Sequence, residues 1–103
     1  MVYLPPPNNV GEAVRAKHPD GRTRHHKVVD ELHIYQKGSR TKLIYLQKIT
    51  LENGKEELRL GYYIIGKKKG RMFGRWVWGQ YATFLPACDF RKIIKMATAR
   101  GWL

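Results

Sequence analysis

From Val28 onward, apolar and polar positions alternate in runs of strand length separated by turn-forming residues. Four strands are predicted at about 28–36, 41–51, 56–66 and 72–84. In the first, Leu32 and Ile34 share one face and His33 and Tyr35 the other. Lys37–Gly38–Ser39–Arg40 is a natural reversal, and Asn53–Gly54 between strand-like runs predicts a tight primed turn, because both residues tolerate positive φ. In the third strand Leu58, Leu60, Tyr62 and Ile64 line one face, while Arg59, Gly61, Tyr63 and Ile65 line the other. In the fourth, Phe73, Arg75, Val77, Gly79 and Tyr81 lie opposite Trp76, Trp78, Gln80 and Ala82. Each of its faces carries aromatic rings, so alternation leaves open which one is buried.

The period changes to that of a helix at about 87–100. Pro86 lies at its start, Asp89 in its first turn or at its cap, and Gly101 after its end. Phe90, Ile93, Ile94 and Ala97 fall on the stripe expected to face the sheet, and Trp102 is expected to fold back over it. Residues 1–27 read instead as an irregular basic arm. Pro5–Pro6–Pro7 favours an extended left-handed helix, and His18–Pro19–Asp20–Gly21 signals a turn. The expected fold is therefore α+β: a four-stranded antiparallel β-meander closed by one C-terminal helix, forming a single domain over 28–103 behind the arm.

Charge changes the picture more than length does. The formal net charge is +12, unevenly placed: +3 over 1–27, zero over 28–57 and +9 over 58–103, where Asp89 is the single acid. A field concentrated on one region suits a polyanionic partner. The run from Arg59 to Arg75 holds six basic residues and no acid among Tyr62, Tyr63 and Phe73, with Trp76, Trp78 and Tyr81 just beyond. Cations beside flat rings can hold a phosphate backbone and stack on bases. The candidate nucleic-acid-binding residues are accordingly Arg59, Tyr63, Lys67, Lys68, Lys69, Arg71, Arg75, Trp76, Trp78 and Tyr81. The expected strand order with a closing helix resembles the general topology of single-stranded-DNA-binding transcriptional coactivators and Whirly proteins. That resemblance implies contact between a sheet face and single strands.

The remaining chemistry is sparse. Gly66–Lys67–Lys68–Lys69–Gly70 lacks the spacing of a nucleotide-binding P-loop, and no cofactor motif is present. Cys88 is the lone cysteine, so neither an intrachain disulfide nor a cysteine-based zinc site can form. His25, His26, Asp30, Glu31 and His33 are the one dense group able to ligate metal or move protons; they support the alternative of a small metal-dependent nuclease. A further alternative is a homo-oligomeric interaction module pairing through the open sheet face. No apolar run reaches the roughly 20 residues that span a bilayer, and the N-terminus does not read as a signal peptide. The expectation is a non-catalytic, homodimeric nucleic-acid-binding protein, cytoplasmic, or nucleoid or nuclear if DNA is its target, with single strands favoured over duplex.

Overall fold

The computed structural model describes residues 4–17, 19–67, 70–79 and 82–103. Its elements in chain order are β1 Ala13–Lys17, β2 Thr23–Tyr35, β3 Lys42–Thr50, β4 Glu56–Ile65, β5 Trp76–Trp78 and α1 Ala87–Ala99. Each strand pairs antiparallel with the next, and the five-stranded sheet curls into a half-barrel closed by α1. The expected four-stranded meander behind an irregular arm is thus corrected at both ends of the sheet.

At the first end, a turn described over 19–21 lies between two strands. β1 pairs with the start of β2 from Ala13↔Lys27 to Lys17↔Thr23. Gly21 takes φ +83°, and the Asp20 carboxylate accepts a bond from the Arg22 N–H at 2.9 Å. β1 and the first residues of β2 escaped the reading because their apolar positions are sparse: Val14 is half-buried and Ala13 and Arg15 are exposed. Backbone pairing holds them where burial does little. At the other end, the described residues of the predicted strand 72–84 form a strand only over Trp76–Trp78. Gly74 at φ +74° breaks the extended run, and the chain turns through bonds from the Phe73 N–H to the Gly70 carbonyl and the Arg75 N–H to the Met72 carbonyl. β3 and β4 lie close to their expected ranges. The turn between them is not the primed one, since among the described residues no non-glycine takes positive φ and Gly54 alone supplies it, at +84°.

The sheet has two buried faces. On the outer face Leu32, Ile34, Ile44 and Leu46 pack against Ile93 and Ala97 of α1, with Tyr62, Met96 and Trp102 at the margin. The helix buries Asp89, Ile93 and Ala97, whereas Phe90, expected on the buried stripe, is 49% exposed. Asp89 displaces it by turning its carboxylate inward to accept the Lys37 N–H at 2.8 Å. On the inner face Leu43, Tyr45, Ile65 and Trp76 form a second cluster, flanked by Tyr63 and Trp78. β3 is consequently buried on both sides, which explains its continuous apolar run. Among the described residues no helix is long and apolar enough to cross a membrane.

Candidate nucleic-acid interface

Strand register resolves where the aromatic residues go. Tyr63 pairs with Trp78 and Ile65 with Trp76, so both tryptophans share the inner face with Tyr63, Tyr45 and Leu43. The rings pack on one another: Tyr45, Tyr63 and Trp78 meet edge to face, with the Tyr63 centroid 4.9 Å from each of the other two. His33 stacks on Tyr45 at 4.9 Å, and its covered side holds its pKa below the ordinary value despite the nearby Glu31 carboxylate. Trp78 can lie flat because Gly61 sits beneath it; a Cβ there would collide with the indole ring. Gly79 makes the same allowance for the ring of Tyr62.

Part of this face is covered by the chain's own N-terminus. The Trp76 indole N–H donates to the Leu4 carbonyl at 2.8 Å, and the Tyr45 hydroxyl donates to the Pro7 carbonyl. The Tyr63 hydroxyl donates to the Asn9 side-chain oxygen at 3.1 Å. Burial raises the pKa of both phenols, most strongly that of Tyr45, which Glu31 and the neighbouring tyrosines raise further. Tyr63 and Trp76, expected as stacking residues, are therefore engaged within the fold.

Beside the covered rings lies a polar relay. Glu31 accepts the Asn9 backbone N–H at 2.7 Å, the Asn9 amide at 3.2 Å and the Gln47 amide at 3.0 Å. Gln47 is fully buried, and its oxygen accepts the Arg59 Nε–H at 2.9 Å. The guanidinium carbon of Arg59 stands 4.8 Å from the Trp78 ring centroid. Burial lowers the Arg59 pKa from its ordinary value, yet a guanidinium stays charged at any working pH. With its Nε occupied, Arg59 lines two hollows. One, of about 390 Å³, lies across the mouth of the half-barrel between β1 and β4, and Arg15, Glu12, Asn9 and Tyr63 also line it. The other, of about 470 Å³, is bordered by Trp78, Gly61, Gly79 and Thr83.

The basic loop divides by what the structure describes. Lys67, Arg71 and Arg75 are exposed, whereas Lys68, Lys69 and Tyr81 lie outside the described residues. Arg91, Lys92 and Lys95 add exposed charge along α1. Among the described residues Glu56 pairs with Lys48 at 3.4 Å and Asp30 with Arg100 at 3.1 Å.

The proposed metal group does not converge. Among the described residues, no three His, Cys, Asp or Glu side chains are placed to hold one ion. Glu31 is instead the hub of the Arg59 relay, and Asp30 pairs with Arg100. Cys88 is exposed at the start of α1. Sequence reading picked out Arg59, Tyr63 and Trp78 but missed Asn9, Arg15, Tyr45 and Gln47. A signal for two of them existed: Tyr45 and Gln47 occupy the second face of a strand whose first face is Ile44 and Leu46. No protein-family model, curated protein or solved structure matches this chain.

Proposed function

We propose that this protein binds nucleic acid without catalysing a reaction, through phosphate contacts first and ring contacts second, and prefers single strands to duplex. The observation that carries this reading is Arg59, held on Trp78 by the Glu31–Gln47 relay and lining the hollow it shares with Arg15 and Glu12. Such a guanidinium is oriented before a ligand arrives, and its planar fork matches two phosphate oxygens. The exposed Lys67, Arg71 and Arg75 would extend the field along a strand, as mobile point charges suited to any sequence. Half-buried Trp78 is the ring best placed to meet a base, since Tyr63 and Trp76 already bind the N-terminal segment.

The test is fluorescence anisotropy of labelled single-stranded DNA, duplex DNA and RNA at about 50 and 200 mM salt. Wild type is compared with Arg59→Ala, Arg59→Lys and the Lys67/Arg71/Arg75→Ala triple variant. Wild-type affinity is expected to fall steeply with salt and the triple variant to flatten that slope. Arg59→Ala should weaken binding by about tenfold or more, as expected for one lost charge-assisted contact, and Arg59→Lys should restore only part of it. A folded wild type with no salt-sensitive binding to any of the three would overturn the proposal.

A second reading, a homo-oligomeric interaction module, has its own observation. Leu58, Leu60 and Ile64 on the outer face of β4 are 38%, 42% and 41% exposed, beyond the reach of α1. Sedimentation velocity showing a monomer at every accessible concentration would remove it.

A further inference from the structure

The N-terminal segment is bound on the inner face in the manner of a ligand. Each proline fixes φ near −65°, and Leu4, Pro5 and Pro6 each precede a proline and so are driven to extended ψ. Covalent geometry alone makes residues 4–7 a left-handed extended helix with three residues per turn and unbonded carbonyls. The carbonyls of Leu4 and Pro7 are three residues apart and so leave one side of that helix. They are the two that Trp76 and Tyr45 bond. Both donors belong to buried rings, 8% and 0% exposed. An aromatic groove whose ring N–H and O–H groups meet the carbonyls of such a helix is the chemistry of proline-rich peptide recognition. Two residues further on, Asn9 is gripped by Tyr63 and by both oxygens of Glu31, which fixes the segment's register.

What ties this ligand to its own groove is a short turn. It is closed by bonds from the Gly11 N–H to the Val28 carbonyl at 2.8 Å and from the Glu12 N–H to the Asn9 carbonyl at 2.9 Å. Gly11 takes φ +87°, and a Cβ there would meet nothing within 4 Å, so backbone freedom rather than space is what glycine supplies. A glycine hinge between a docked segment and the first strand is the construction from which segment exchange between copies proceeds.

We propose that the inner groove is a docking site for the Leu4–Asn9 segment of a second copy of this chain, so that two copies exchange these segments reciprocally. The occupant is argued from the fit already present: this sequence satisfies every donor just named, and opening the Gly11 turn is what frees it. In the exchanged dimer the partner's Asn9 lines the Arg59 hollow, which each chain then completes for the other. The closed monomer competes with an effective concentration on the order of millimolar. Exchange in the wild type is therefore expected only in concentrated solution.

The test uses two full-length variants. In the first, Tyr45→Phe with Trp76→Phe removes both groove donors and leaves the segment intact. In the second, Pro5→Gly, Pro6→Gly and Pro7→Gly loosens the segment and leaves the groove intact. Each alone should remain monomeric, and an equimolar mixture should form a 1:1 complex, because the sound segment of one meets the sound groove of the other against only a loosened tethered competitor. Association in the mixture should exceed that of either variant alone by at least tenfold in sedimentation velocity. Two folded variants that mix without associating would overturn the proposal. Should either variant fail to fold, isotope-filtered NMR on a concentrated mixture of labelled and unlabelled wild type decides instead. Cross-peaks between Leu4–Pro7 of one copy and Trp76 of the other support exchange, and their absence at millimolar protein rejects it.

Discussion

Gln47 has no exposed surface, yet both ends of its amide are engaged, one by Glu31 and the other by Arg59. An amide can accept from a guanidinium at one end while donating to a carboxylate at the other, so it carries orientation across the sheet without placing opposite charges in contact. The arrangement also needs Gly61, whose missing side chain leaves room for Trp78. Gly61→Ala is expected to push the indole aside and lower stability by about 1–3 kcal/mol, the usual cost of overpacking. Urea unfolding reads the loss, and Arg59 in the same variant should lose its stacking contact. Arg59, Tyr63 and Trp78 were legible in the sequence because charge and rings stand out in a basic run. Asn9 was not, because a neutral amide in an irregular stretch signals nothing until its partners are known, and for Gln47 strand alternation marked the face but not the bonds it makes there.

At the level of elements, α1 shows how one polar group reassigns an amphipathic face. The spacing of Phe90, Ile93, Ile94 and Ala97 predicted the helix almost to its ends, but the buried stripe runs through Asp89, Ile93 and Ala97. Asp89 sits under the β2–β3 turn, where its carboxylate accepts the Lys37 N–H. Asp89→Ala should therefore cost about 1.5–3 kcal/mol, the range for a hydrogen bond to a buried charge. Asp89→Asn keeps an acceptor and should recover part of that loss in the same denaturation assay. Pattern failed where pattern was not the cause of structure. β1 has too few apolar positions to read, and β5 starts late because of the left-handed Gly74 rather than any change in alternation. β3 and β4 were legible because burial and period agree in them.

Across the whole molecule, the buried phenols couple stability to alkaline pH. The Tyr45 pKa is raised above its ordinary 10.0 by burial first and by Glu31 and neighbouring tyrosines after it; that of Tyr63 is raised chiefly by burial. A phenol that holds its proton longer when folded contributes stability that is complete below pH 10.0 and is lost as pH climbs beyond it. Each group can remove at most about 1.4 kcal/mol per pH unit. Lys42, whose pKa desolvation lowers, works in the opposite direction. Urea midpoints at roughly pH 8 and pH 11 should accordingly diverge in wild type, and Tyr45→Phe should narrow the gap. The same inner face has a consequence for how the protein is made. Leu4 bonds to Trp76, a partner 72 positions later. The Leu4–Pro7 stretch thus leaves the ribosome well before the partner that holds it, and until β5 emerges the inner rings and these prolines wait apart on the growing chain.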